Sequence, residues 1–285
     1  MYQLIKPEDL TDRLIDLAFS EDIGDGDHTT LSCIPAEAEG KSHLLIKESG
    51  ILAGIEVARE VFKRFDPELR MEVYIPDGSA VKPGDIAMQV SGKVRSLLQT
   101  ERLMLNILQR MSGIATMTRR YVNAVAGTKT RILDTRKTTP GMRMLEKEAV
   151  KIGGGTNHRI GLFDMILIKD NHVDFAGGIT AAIDRARNYC AEKGKDLKIE
   201  IEVRNFDELL EVLNHGGVDR IMLDNFSVPD TRKAVAMING QCEIESSGGI
   251  TMETLRDYAE CGVDFISIGA LTHSVKGLDM SFKAC

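Results

Sequence analysis

The chain has 285 residues, 43% of them hydrophobic and 28% charged, with a formal net charge of −7. That length supports one or two domains with a sizeable core, and the acidic balance argues against general nucleic-acid binding. No apolar run approaches a membrane span, and five dispersed cysteines without a CxxC pair fit reduced thiols of a cytoplasmic protein better than a disulfide framework or a zinc site.

In chain order, residues 1–20 predict an amphipathic helix with Leu10, Leu14, Ile15 and Leu17 on one stripe. Residues 43–54 predict one or two strands, with His43 as a core residue. IEVAREVFKRF (55–65) predicts a helix that stops before Pro67. Residues 71–92 alternate apolar and polar side chains around two turns, Asp77-Gly78 and Pro83-Gly84, which is antiparallel strand chemistry. A long helix follows over about 97–126, with Met104, Ile107, Leu108, Met111 and Ile114 at helical spacing and Gly113 as a candidate kink. These first hundred residues read as an α+β domain.

The rhythm then changes. Six short apolar runs end in polar or charged residues: RILDTRK (131–137), MILIKDN (165–171), KIEIEVR (198–204), RIMLDN (220–225), CEIESSGG (242–249) and FISIGA (265–270). Helical patterns separate several of them, so the reading is a parallel sheet with covered faces. VKIGGGTNHRI (150–160) is an irregular insert. The predicted division is a domain over 1–112, a (β/α) barrel over 113–272, and a tail, 273–285, that packs back on the first domain. Functional groups at one end of successive strands are what a barrel mouth requires.

The chemistry collects at those strand ends. Residues 131–160 are basic inside an acidic chain, which points to a small anionic ligand, although Arg143, Lys147 and Lys151 also suit a solvated helix face. After the first run, Thr135, Arg136 and Lys137 place a bidentate fork beside a point charge, suited to carboxylate or phosphate oxygens. The glycine run 153–155 leads to His158 and Arg159, just before a strand that ends in Lys169. Glu202 and Asp224 end two consecutive strands. They suit Mg²⁺ held through water, stabilisation of a developing cation, or a structural pairing with Lys169. Glu200 shares the face of Glu202 one layer deeper. Ser247, Gly248, Gly249 and Gly269 lie where barrels bind phosphate, before short helices.

Several of these segments are long and ordered. ERLMLNILQRMSGIAT (101–116), DTRKTTPGMR (134–143), KIGGGTNHRIGLFDMILIKDNH (151–172), IEIEV (199–203), IMLDN (221–225) and ESSGGI (245–250) resemble the quinolinate phosphoribosyltransferase family, from about Ser20 to near the end of the chain. The resemblance implies an open TIM-like barrel of about seven strands with an N-terminal α/β sandwich domain. It implies a glycosyltransferase that makes nicotinate mononucleotide from quinolinate and 5-phosphoribosyl 1-pyrophosphate (PRPP) for NAD biosynthesis. It implies a homodimer whose sites are completed by Arg102 of the neighbour, with assembly up to a hexamer left open. Arg136, His158, Arg159 and Lys169 correspond to the quinolinate grip, with Lys137 beside them. Glu202 and Asp224 correspond to the carboxylates near ribose and magnesium, and Ser247, Gly248, Gly249 and Gly269 to the phosphate-binding backbone. Lys137, Lys169, Glu202 and Asp224 are the expected catalytic set. Two rival readings stand beside this one: a paralogue with another acceptor, such as the molybdenum-associated relatives, and a non-catalytic sensor of phosphorylated metabolites.

Overall fold

A computed structural model of the chain describes residue 6 and residues 9–285. Its packing divides the chain into two compact units: 1–119 with 137–154 and 270–285, and 120–136 with 155–269. The sequence reading cut the chain near residues 112 and 272 and returned the tail to the first domain. The observed division also gives the first unit the end of the chain, and adds to it the helix Arg143–Ile152.

The first unit is built on an antiparallel sheet. Strands β1 (Glu39–Ile46), β2 (Gly50–Ile51), β3 (Arg70–Val73), β4 (Ala80–Val81) and β5 (Ile86–Lys93) come from the region that alternates in sequence. The order in the larger sheet is β12-β1-β5-β3, where β12 is Met280–Ala284, and β2 pairs β4 separately. Alternation decides the faces. Ser42, Leu44 and Ile46 are buried on β1, whereas His43 lies between them on the other face and is half-buried. The expectation of a core His43 therefore fails by one residue of parity.

The helix Ile55–Phe65 buries Ile55, Ala58, Val61 and Phe62, a spacing that keeps one stripe on the sheet. Phe62 meets Phe282 of β12 at 6.1 Å between ring centroids. The helix predicted over 1–20 is described from Leu10 to Ile23, and residues 1–5, 7 and 8 lie outside the described residues. It buries Ile15 and half-buries Leu10 and Leu14, as the predicted stripe requires, while Leu17 is 65% exposed and leaves that stripe. Phe19 instead packs on Phe65 at 5.1 Å. The long helix runs from Val94 to Ala124 without interruption at Gly113. The glycine serves a close approach instead: a Cβ there would collide with the Lys276 carbonyl oxygen.

The second unit holds a six-stranded parallel sheet of order β6-β11-β10-β9-β8-β7. These are β6 (Arg131–Leu133), β7 (Ile166–Ile168), β8 (Ile199–Val203), β9 (Arg220–Asp224), β10 (Glu243–Ser247) and β11 (Phe265–Ser267). Each falls inside one of the six predicted runs. Among the described residues the expected seventh strand shrinks to one parallel bridge, Leu133 to Thr156, at the open edge of β6. Ile199, Ile201 and Val203 of β8 are buried, as are Ile221 and Leu223 of β9, which fits a sheet covered by its crossover helices. Two of those helices begin on side-chain caps: Asn205 accepts from the Glu208 N–H, and Ser227 accepts from the Asp230 N–H with a proline in the first turn.

Candidate active site at the strand ends

The site is a consequence of register. Parallel pairing sets Glu200 beside Arg220, Glu202 beside Met222, and Asp224 beside Ser247. The period of two then turns Glu200 and Glu202, Arg220 and Asp224, and Glu243, Glu245 and Ser247 to one common face, opposite the apolar residues that meet the helices. That face is layered. Glu202, Asp224 and Ser247 occupy the carboxyl ends of their strands, and Glu200, Arg220 and Glu245 lie beneath them.

At the ends, Lys169 Nζ stands 2.9 Å from Glu202 Oε2. Lys169 is held just past β7, where its N–H donates to His172 Nδ1 at 2.9 Å. Its side chain is 46% exposed while that of Glu202 is 10% exposed, so the ammonium remains open to a ligand. Asp224 accepts from Asn225 Nδ2 at 2.8 Å. Asn225 itself has φ 55° and donates its N–H to Ser247 O at 2.9 Å, which ties the turn after β9 to the end of β10. Gly248, at φ +90°, could not carry a Cβ without striking the Asn225 side chain, whereas Gly249, at φ +61°, faces open space. Gly269 follows β11 in the same row of strand ends. This is a backbone cradle with room for an anion.

Arg136 and Arg159 form the cationic side of the same unit. Burial depresses the Arg159 guanidinium below its ordinary range, and the charge of Arg136 depresses it further, against opposition from Glu200 and Asp164. Two guanidinium groups close enough to act on each other call for an anion. Thr135 is half-buried beside Arg136. Arg102 and Lys137 belong to the first unit. Arg102 is exposed on the long helix; Lys137 is exposed, and its carbonyl accepts from Thr272 Oγ1 at 2.9 Å.

His158 goes inward. Its Nε2 lies 3.0 Å from Glu200 Oε2 and 3.5 Å from Glu245 Oε2, with all three side chains buried. Arg220 Nη1 sits 3.2 Å from Glu245 Oε2 and 3.8 Å from Glu200 Oε2, and its guanidinium covers the Phe265 ring at 4.1 Å. Burial pushes Glu200 up to about 7, aided by Glu245 and opposed by His158 and Arg220. Burial also acts to raise Glu245, but His158, Ser267 and Arg220 outweigh it and hold it below the usual carboxylate range. For His158, burial opposes the imidazolium, yet the two carboxylates outweigh burial and push the ring up to about 9.

One contact pulls against that last value. The Arg159 N–H points at His158 Nδ1 from 2.7 Å, which requires that nitrogen to be bare. In this conformation the ring is therefore the Nε2–H tautomer facing Glu200, and the proton that burial draws into the cluster sits on Glu200. Ionised Glu245 and Arg220 then balance, and the buried cluster is neutral.

Sequence reasoning placed Glu200 correctly as the deeper carboxylate and passed over Asp134, Arg220, Glu245 and Ser267. The available signal was the charge inside short apolar strands. A central parallel strand with Arg or Glu on its inner face must find a partner for it. The three side chains His158, Glu200 and Glu245 come close enough to ligate a metal, but Arg220 already supplies a cation to both carboxylates. Glu202 and Asp224 suit a hard cation better. They are carboxylates at the open strand ends, and the remaining positions around an ion would be filled by water and substrate oxygens.

Two family models match the chain: quinolinate phosphoribosyl transferase, N-terminal domain, over residues 27–112, and the C-terminal domain over residues 114–283. The chain belongs to the quinolinate phosphoribosyltransferase family. Relatives agree along nearly its whole length. Quinolinate phosphoribosyltransferase [decarboxylating] 1 of Nicotiana glauca is 46% identical over 95% of this chain and 81% of its own. A probable nicotinate-nucleotide pyrophosphorylase [carboxylating] of Bacillus subtilis (strain 168) is 42% identical over 94% and 91%. The crystal structure of NadC from Streptococcus pyogenes superposes with a TM-score of 0.91 at 39% identity, covering 99% of this chain and 98% of that one. The fold expected from the family resemblance, an open α/β barrel with an N-terminal α/β sandwich domain, agrees with the parallel sheet of one unit and the antiparallel sheet of the other.

Proposed function

We propose that the chain is the decarboxylating quinolinate phosphoribosyltransferase of NAD biosynthesis, forming nicotinate mononucleotide, pyrophosphate and CO2 from quinolinate and PRPP. The observation that carries this reading is Lys169 set 2.9 Å from Glu202 at the strand ends, in the same unit as Arg136 and Arg159. A dicarboxylate satisfies adjacent guanidinium groups, and an ammonium braced by one carboxylate can turn toward a second. Lys137, next to Arg136 in the chain, is the remaining cation of the expected set.

Held by its carboxylates, the pyridine presents its ring nitrogen to the anomeric carbon of PRPP. The nitrogen lone pair forms the new C–N bond as the C–O bond to pyrophosphate breaks, and the bond electrons leave with pyrophosphate. No general base is needed, because that lone pair is already free. Glu202 and Asp224 lie where they would stabilise oxocarbenium-like charge on the sugar. The same two carboxylates would hold Mg²⁺, which would supply neutralisation of the charge on the departing pyrophosphate. The Ser247, Gly248, Gly249 and Gly269 backbone is suited to the 5-phosphate. The resulting pyridinium accepts the electrons released when the carboxylate beside the nitrogen departs as CO2, and a solvent proton replaces it.

The enzyme acts as a cytoplasmic homodimer in this reading. Five free cysteines fit a reducing compartment, and no helix among the described residues is long and apolar enough to cross a membrane. Arg102 reaches the partner's site. Incubation with quinolinate, PRPP and Mg²⁺ should yield nicotinate mononucleotide and one CO2 per product. No product would favour a paralogue with another acceptor, and tight quinolinate binding without turnover would favour a sensor. Arg102→Ala and Lys169→Ala chains, each inactive alone, should regain part of the activity when exchanged into mixed dimers, because one hybrid site escapes both changes. No recovery after verified exchange would rule out the shared site.

A further inference from the structure

The turn that carries Arg159 has no regular secondary structure, yet it is pinned at several points. The His158 N–H donates to Asp134 Oδ1 at 2.8 Å, and Asp134 is fully buried just after β6. The N–H groups of Ile160 and Gly161 donate to the Asp164 carboxylate at 2.7 and 2.8 Å. Arg159 Nη1 donates to the Met165 carbonyl at 3.3 Å. Between these pins the His158 ring descends into the inner layer of the sheet, 6% exposed, and accepts the Arg159 N–H on its Nδ1. The ring is thus a peg hydrogen-bonded on one edge and at ion-pair distance from two carboxylates on the other. One edge faces the backbone of the anion-gripping residue, and the other faces Glu200 and Glu245.

The socket for that peg is over-built for stability alone. Two fully buried carboxylates and a buried guanidinium cost desolvation that apolar residues of like volume would avoid. They come from three neighbouring strands, β8, β9 and β10, with Ser267 of β11 adding a hydrogen bond to Glu245. Arg220 fixes Glu245, and Glu245 and Glu200 together leave one orientation for the imidazole. An apolar socket would bury the ring equally well but would not select which nitrogen faces Arg159.

We infer that Glu200, Glu245 and Arg220 are positioning residues for quinolinate: acting through His158, they set the turn that presents Arg159 beside Arg136. None of the three need touch either substrate. The inference deepens the proposed function and rests on it. It predicts an effect confined to the pyridine dicarboxylate, since the PRPP cradle is built from separate turns after β10 and β11.

The test compares Glu200→Leu with Glu200→Gln, two changes of similar volume that differ in whether an oxygen is kept for the imidazole N–H. The readouts are quinolinate affinity by calorimetry and the KM of each substrate. Glu200→Leu should raise the KM and Kd for quinolinate by about tenfold or more, while the KM for PRPP stays within about threefold. Glu200→Gln should stay within about threefold of wild type for both substrates. Where Glu200→Leu fails to fold by circular dichroism, Glu245→Gln takes its place. It keeps the volume but removes the charge that fixes Arg220, and the same quinolinate-selective loss is expected. Quinolinate affinity unchanged in Glu200→Leu, or in Glu245→Gln where that stands in for it, or both substrates weakened equally, would overturn the positioning role. A wild-type protein that neither binds quinolinate nor forms product would instead overturn the proposed function.

Discussion

Arg110 and Glu146 offer the sharpest test of how the first unit holds the loop after Lys137. Glu146 is fully buried on the helix Arg143–Ile152. Its Oε1 accepts from Arg110 Nη2 at 2.8 Å and from Arg110 Nε at 3.1 Å, and its Oε2 accepts the Thr139 N–H at 3.2 Å. Arg110 also donates to the Thr272 carbonyl and, at 3.4 Å, to Thr139 Oγ1. Arg110→Met keeps the packing of the stem but leaves the carboxylate with one long backbone hydrogen bond in place of three contacts. Removing one partner of such a buried pair costs about 3–5 kcal/mol. At roughly 2–4 °C per kcal/mol for a chain of this size, the melting temperature should fall by about 6–20 °C. Adding Glu146→Leu to Arg110→Met should recover most of that loss, because the stranded charge is gone, and the double-mutant cycle should give a coupling of about 2 kcal/mol or more. Thermal and urea melts of the four proteins measure both quantities. A single Arg110→Met variant melting within about 2 °C of wild type, or a double variant no more stable than the single, would refute the reasoning.

Lys169→Ala should cost less than about 1 kcal/mol of stability, since the pair with Glu202 is half open to solvent, yet lower kcat/KM by about 100-fold or more; melts and steady-state kinetics separate the two effects. Gly248→Ala should destabilise by about 1–3 kcal/mol through its φ of +90° and the clash with Asn225, and should raise the KM for PRPP, measured in the same assays. Acidity should also register. Burial pushes Glu200 from 4.5 up to about 7, so the native cluster holds a proton that the unfolded chain releases, and its contribution to stability is full below about 4.5 and lost as pH rises through about 7. Glu200→Gln, which mimics the neutral acid, should flatten that part of the curve of melting temperature against pH; a slope unchanged from wild type would count against the proton on Glu200.

Much of the chain announces itself in sequence. The six short apolar runs became the six parallel strands because a strand buried on both faces needs continuous Ile, Leu and Val, and few other structures do. The helix at 55–65 and the alternating stretch 71–92 followed from local periodicity alone. The strand-end residues Lys169, Glu202, Asp224 and Ser247 were legible for the same reason, since polar residues closing apolar strands share one edge of a parallel sheet.

Other features depended on partners distant in the chain. His43 and Leu17 were misjudged because parity and helix rotation are fixed by what packs opposite them. The division into units crossed the chain because the helix 143–152 and the strand 280–284 found their neighbours in the first hundred residues, through contacts that no local pattern encodes. The inward turn of His158 required Glu200, Arg220 and Glu245 to be set side by side from β8, β9 and β10. Composition and period specify which residues are buried. Only the register of neighbouring strands decides which buried charges meet, because a shift of one residue would send each of them to the opposite face of the sheet.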